Sequence, residues 1–300
     1  EFSRFAWFSM MFGAGIGVGM LTYSTAEPLA HFANNPDVIL GSTTALDPNN
    51  LSAAYKWTLL HYGLTPWGCY AIVGLSLAYF AYKRDMPLTI RSPFTAVLNA
   101  NAGRQVGAVV DAAAILATII GIGVTIGYGV NQLAFGAYQI TEWSWLISDD
   151  KPSLLSLALA VTFLTVAAML SALSGIGRGI RLLSNLNMAL SWLLLIIFVI
   201  FGATAFAGEM FISGLTAYLR EILPMSLTIW SGGETETAEL LSDWQSAWSV
   251  FYWAWWIAFT PFVGLFWARV TRGRTIPVYV VGAILLPPLM CFTWFCIIGG

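Results

Sequence analysis

Residues 5–26 read FAWFSMMFGAGIGVGMLTYSTA, a run between Arg4 and Glu27 with no charged side chain. A helix needs about 20 such residues to cross the hydrocarbon of a bilayer. The middle of the run is unusual. Gly13-Ala14-Gly15-Ile16-Gly17-Val18-Gly19 places glycine at every second position, and each glycine in a helix interior costs about 1 kcal/mol relative to alanine. Two readings of the motif stand side by side: close packing of small residues against another helix, and local unwinding at mid-depth that frees carbonyls for a cation and amides for an anion.

Outward from this run, uncharged tracts repeat. Lys56 to Lys83, Arg104 to Glu142 with only Asp111 near its start, Lys151 to Arg178, Arg181 to Glu209, Asp243 to Arg269, and Arg274 to Gly300 enclose six more. The expected helices are approximately 5–32, 57–82, 107–140, 153–175, 182–208, 244–268 and 276–300, seven crossings in one transmembrane domain covering 1–300. Composition agrees: 58% of residues are apolar, 9% are charged, and mean hydropathy is +0.75, whereas a soluble domain carries about a quarter charged residues. The chain reads as an all-α integral membrane protein, with the lipid bilayer as a partner and no nucleic acid expected.

Basic residues stay on the cytoplasmic side of a membrane. With the Arg4 end cytoplasmic, alternation puts ten of the thirteen Lys and Arg residues inside and leaves Lys56, Lys151 and Arg220 outside. That makes a multi-pass protein of the cell (cytoplasmic or inner) membrane. The chain begins at Glu1 without methionine and ends inside an apolar tract, so it reads as part of a longer protein. Residues 33–55 form a turn-rich outer loop, and the apolar spacing from Phe211 to Ile222 predicts an amphipathic surface helix over 211–223. Cys69, Cys291 and Cys296 fall inside apolar tracts as structural thiols. His31 and His61 are too few for a metal or haem site and are expected to bond loop backbone or headgroups.

Polar or irregular features at mid-span are expensive and therefore point to function. The second tract centres on Trp67 and Tyr70, three residues apart on one face, with Tyr62 about two turns earlier. In the sixth, Trp256 lies thirteen residues from both Asp243 and Arg269, and Tyr252, Trp256 and Phe259 form a stripe flanked by Trp253 and Trp255. Pro261 removes the hydrogen bond to the Ile257 carbonyl, so this span is expected to be discontinuous. Two broken spans five apart run in opposite directions, which describes an inverted repeat with substrate held near the midplane. The third tract adds Thr118, Gly121, Gly123, Thr125 and Gly127 near its centre.

No acidic side chain is expected at mid-depth, because Asp111 and Glu27 lie near span ends. Aromatic faces attract a quaternary ammonium by about 2 kcal/mol when desolvated, and a carboxylate on the same molecule can meet freed amides or a metal cation. A zwitterion suits such a pocket.

These residues resemble the betaine/choline/carnitine transporter family over essentially the whole chain. The carriers of the likeness are Gly13 to Gly19 with Ala26-Glu27-Pro28-Leu29, Pro66-Trp67 with Tyr70, Pro87-Leu88 with Arg91-Ser92, and Phe251-Tyr252-Trp253-Ala254-Trp255-Trp256 continuing to Pro261-Phe262-Val263-Gly264 and Arg269 to Arg274. The resemblance implies a LeuT-type inverted-repeat fold, with this chain as helices three to nine of twelve, and a homotrimer. It implies a secondary transporter that imports a quaternary-ammonium or related onium zwitterion such as glycine betaine, carnitine or dimethylsulfoniopropionate, coupled to sodium and working by alternating access.

On that resemblance Trp67, Tyr70 and Trp256 match an aromatic box. Tyr62 and Phe259 stand where many betaine carriers have tryptophan, and Trp253, Trp255, Gly15, Ile16, Gly17 and Gly19 complete the substrate set. Gly19 stands where some proton-coupled choline carriers have aspartate, which favours a zwitterion. Sodium is implied at Gly13, Ile16, Thr118 and Phe262, although Ile122 stands where a second hydroxyl would be. No other cofactor is expected. The alternatives are a sodium-independent exchanger or proton-coupled choline-type carrier of the same family, or a channel. A membrane enzyme lacks any clustered nucleophile, base or metal set in this sequence.

Overall fold

Among the described residues six helices are long and apolar enough to cross a membrane, and two further helices, bent by 62° at the glycine run, make a seventh span when counted as one. The computed structural model of the chain describes residues 2–15, 17–98 and 100–300. The helices among them are α1 (Arg4–Gly15), α2 (Val18–Ala33), α3 (Pro36–Ile39), α4 (Leu51–Tyr62), α5 (Leu64–Lys83), α6 (Ser92–Val97), α7 (Ala100–Thr141), α8 (Leu154–Leu173), α9 (Arg181–Phe201), α10 (Thr204–Leu227), α11 (Glu236–Gln245), α12 (Phe251–Val270), α13 (Ile276–Ile284) and α14 (Leu286–Ile298). The β-structure among the described residues is one antiparallel pair, Ile147–Ser148 with Lys151–Pro152. Asp149 and Asp150 turn between these strands with φ of 50° and 57°, the sign that a tight hairpin turn requires at both central positions.

The packing gathers aromatic residues at the centre. The α12 helix lies along α5 and touches α1 and α7, while α4 is held between α2 and α10, and α1 rests on α9. Trp67, Trp267, Trp294, Tyr62, Tyr70 and Tyr252 are all fully buried. In contrast, α8 and α9 present Leu154, Phe163, Leu173, Ile200 and Phe201 to the outside. Such helices satisfy their own backbone groups and need no water.

The glycine run breaks the first span between α1 and α2, as one of its two readings expects, and both Gly15 and Gly19 are also tightly packed. Other expectations are corrected. The sixth span is not interrupted at Pro261, because α12 continues through it to Val270. A proline removes one donor, and neighbouring helices can hold the rest of the ladder. The irregularity lies upstream instead, in a π-helical turn at Ser246–Val250. The second tract, expected as one helix, is divided at Gly63. The surface helix placed at 211–223 is part of the longer α10, whose Met210, Gly214 and Tyr218 are buried. The last tract is interrupted at Leu285, just before Pro287 and Pro288.

Candidate functional site

The break at Gly63 organises the site. Pro66 has no N–H to offer the Tyr62 carbonyl four residues back, and the extended backbone of Gly63 (φ −91°, ψ −153°) takes the chain out of helix. Two indoles satisfy the carbonyls left over. The Trp67 Nε1–H donates to the Tyr62 carbonyl at 3.1 Å, and the Trp256 Nε1–H donates to the His61 carbonyl at 3.0 Å. Buried carbonyls need such partners, so main-chain irregularity in one span fixes the ring orientations of two. The Leu64 amide donates to the Tyr218 hydroxyl at 2.8 Å, completing the join.

The Trp256 ring, anchored in this way, lines a cavity of about 410 Å³. Trp256 lies 5.0 Å from Tyr70 and 6.4 Å from Tyr62 between ring centres, and Tyr62 meets Tyr252 at 5.2 Å. The glycine run forms one wall through Gly13, Ala14, Gly15, Gly17 and Gly19. Opposite it, α12 contributes Tyr252, Trp255, Trp256, Phe259, Phe262 and Phe266, and Met10, Thr125, Ile180 and Ser184 close the remainder. None of these residues is charged. The glycines are needed for space: a Cβ on Gly15 would lie 2.6 Å from the Trp67 ring, and one on Gly19 would lie 2.7 Å from the Trp255 ring.

Among the residues singled out in the sequence, Tyr62, Tyr70, Trp255, Trp256, Phe259, Gly15, Gly17 and Gly19 meet at this cavity, as do Gly13 and Phe262 of the sodium set. Trp67 stands behind the wall, stacked between Phe12 at 5.9 Å and Trp267 at 6.1 Å. Trp253 and Thr118 are not in the lining, and the Thr118 hydroxyl donates to the Ala114 carbonyl at 2.7 Å. Ile16 lies outside the described residues. The lining residues Tyr252 and Phe266 share the face of Phe259 at seven-residue steps, a signal that could have added them to the site. Ser184 and Ile180 sit where a π-helical turn joins α9, and the polar residues Ser184, Asn185 and Asn187 in the first half of that helix are the overlooked signal for this stretch.

Behind Tyr252 lies a polar cluster that corrects two further expectations. Glu27 is fully buried, and the histidines bond it rather than loop backbone or headgroups. Its Oε1 is 3.2 Å from His31 Nε2 and 2.5 Å from His61 Nδ1, while Oε2 accepts from the Tyr252 hydroxyl at 2.5 Å. The Tyr62 hydroxyl is 2.8 Å from that of Tyr252. Each phenol has one proton, so with Tyr252 donating to Glu27, Tyr62 donates to Tyr252. A carboxylate outside the cavity is thereby linked to its wall through two hydroxyls.

Together these features define a multi-span α-helical membrane protein of the LeuT-type fold, with a central, uncharged, aromatic cavity beside broken helices. All 300 residues match the family described as betaine/carnitine/choline transporters, and the chain belongs to that family. It is 36% identical over 300 residues to the glycine betaine transporter OpuD of Bacillus subtilis, covering all of this chain and 55% of that protein. It is 36% identical over 301 residues to the high-affinity choline transport protein of Escherichia coli, covering 42% of it, and 38% identical over 301 residues to the betaine/ectoine transporter LcoP of Corynebacterium glutamicum, covering 45%. The chain therefore spans about half the length of these relatives. The family consists of transporters, not enzymes.

Proposed function

We propose that this chain carries the substrate site of a secondary active transporter that imports a methylated onium zwitterion of the glycine betaine, carnitine or dimethylsulfoniopropionate type by alternating access. The observation that carries the reading is the cage of Tyr62, Tyr70, Tyr252 and Trp256 around an uncharged cavity. Such faces bind a desolvated ammonium by about 2 kcal/mol. The directed pair Tyr62 to Tyr252 to Glu27 adds to this, because a hydroxyl that donates toward a carboxylate is itself more electron-rich. The carboxylate of the substrate would face the glycine wall, where the helix is interrupted and backbone amides are free to donate.

Sodium is the coupling ion of this proposal. The supporting features are the break beside Gly13 and the buried Thr125 hydroxyl, which lines the cavity and has no hydrogen-bond partner. Interrupted backbone and hydroxyl oxygens suit a small hard cation. The distribution of basic residues supports a cell-membrane location with the Arg4 end in the cytoplasm, and the family resemblance supports homotrimeric assembly.

The test is uptake into proteoliposomes of labelled glycine betaine, choline, carnitine, ectoine and dimethylsulfoniopropionate, with and without a sodium gradient. Saturable, sodium-dependent uptake of a zwitterion in preference to choline is expected. Uptake of choline driven by a proton gradient alone would replace this reading with the proton-coupled one, and an unsaturable current would replace it with a channel.

A further inference from the structure

We propose that Glu27, His31 and His61 form a binding site for a divalent cation of the zinc class. These three residues offer one carboxylate oxygen and two imidazole nitrogens, all within 4.8 Å of one another and all buried. Two helices supply them: Glu27 and His31 stand one turn apart on α2, and His61 stands near the end of α4. The donor set is characteristic of zinc and its neighbours rather than of sodium, magnesium or calcium, which prefer oxygen alone.

The spacing fits. A tetrahedral ion with bonds of about 2.0–2.1 Å holds its ligand atoms roughly 3.3 Å apart. Glu27 Oε1 and His31 Nε2 already stand at 3.2 Å, and Glu27 Oε1 and His61 Nδ1, at 2.5 Å, need to part by less than about 1 Å. Both imidazoles turn to the same oxygen, whereas a single histidine would suffice to pair a buried carboxylate.

For two of the three ligands the surrounding partners also suit a metal, while His31 Nδ1 is buried without a hydrogen-bond partner. Histidine ligands are held by a hydrogen bond at the other ring nitrogen, and carboxylate ligands by one at the other oxygen. His61 Nε2 lies 3.0 Å from the Ser249 hydroxyl, in the π-helical turn, and Glu27 Oε2 accepts from Tyr252. Neutral imidazoles bind the ion by moving their protons to the far nitrogens, so His61 Nε2–H then donates to Ser249, and no net proton leaves. Trp248 and Trp244 shield His31, with ring centres 4.6 and 5.4 Å away. The Trp244 indole N–H is buried without a partner, and a solvent-derived fourth ligand on the ion would give it an acceptor. An ion here would tie α2 to α4 directly behind Tyr62 and Tyr252, stiffening one wall of the cavity.

The probe is zinc alone, added to the purified, metal-stripped transporter without substrate, so the outcome is independent of what is carried. One zinc per chain should be retained through gel filtration, with a rise in melting temperature that saturates with zinc. Cobalt in its place should give the intense visible bands of a four-coordinate site. The double variant His31→Ala, His61→Ala should bind more than about 100-fold more weakly, because loss of even an outer partner costs about 10–100-fold. Should that variant fail to fold, X-ray absorption of the zinc-loaded parent decides through the number of imidazole ligands, expected to be two. No retained zinc, octahedral cobalt spectra or a single imidazole would overturn the site and leave a hydrogen-bonded network only.

Discussion

Replacing Trp256 separates the two jobs its indole performs. The side chain is 5% exposed; its N–H holds the His61 carbonyl at 3.0 Å, while its ring stands 5.0 Å from Tyr70 at the cavity. Trp256→Phe keeps an aromatic face but strands the carbonyl beside the Gly63 break, a loss of about 1–3 kcal/mol of stability. Trp256→Leu removes the face as well, forfeiting about 2 kcal/mol of attraction for an ammonium, which at about 1.4 kcal/mol per decade is roughly 30-fold in affinity. The assay pairs calorimetric titration of glycine betaine with the melting temperature of the same samples. Both variants should melt earlier, and the leucine variant should bind far more weakly than the phenylalanine one. If the leucine variant, still folded, binds within about threefold of the parent, the ring is not what holds the cation. Equal loss in both variants would mean that affinity follows the backbone contact instead.

Three further outcomes follow from the packing. Gly15→Ala places a methyl 2.6 Å from the Trp67 ring and should cost about 1–3 kcal/mol; in a Trp67→Phe background, which by itself strands the Tyr62 carbonyl, the same methyl should cost less, read as a double-mutant cycle of detergent-solubilised melting temperatures. Tyr252→Phe removes a bond to the Glu27 carboxylate and should destabilise by about 1.5–3 kcal/mol, while Tyr62→Phe, which loses only a bond to another hydroxyl, should cost about 1 kcal/mol; the reverse order in thermal unfolding would refute the assigned direction of the pair. Pro261→Ala restores a helical donor in a continuous α12 and should leave stability unchanged or raise it by up to about 3 kcal/mol; a clear loss would show that the Ile257 carbonyl is used elsewhere.

The spans were legible because charge is excluded from hydrocarbon, so the intervals from Arg4 to Glu27 or Asp243 to Arg269 mark them without any knowledge of packing. The cage was legible for a related reason: Tyr70 and Trp256 sit too deep for an interfacial belt. Pro261 was misread because a sequence shows the missing donor but not the neighbours that keep α12 straight. Pro66 has the same defect, but it lies beside Gly63, where the backbone does leave the helix. Glu27, His31 and His61 were read as span-end residues because nothing local joins positions 27 and 61, or connects either with 252. Their convergence exists only once α2, α4 and α12 are packed.

The indoles of Trp67 and Trp255 occupy the places where side chains at positions 15 and 19 would otherwise project. Ring and vacancy are complementary parts of one shape, so neither partner is free to drift alone. A carboxylate introduced at position 19 would do more than supply a counter-charge for choline. It would have to evict Trp255 from its seat, and the contour of the chamber would change in the same step as its electrostatics. Charge preference and molecular outline are thus inherited together in this protein, and a switch of cargo by a single substitution at that glycine should come with a reshaped binding volume.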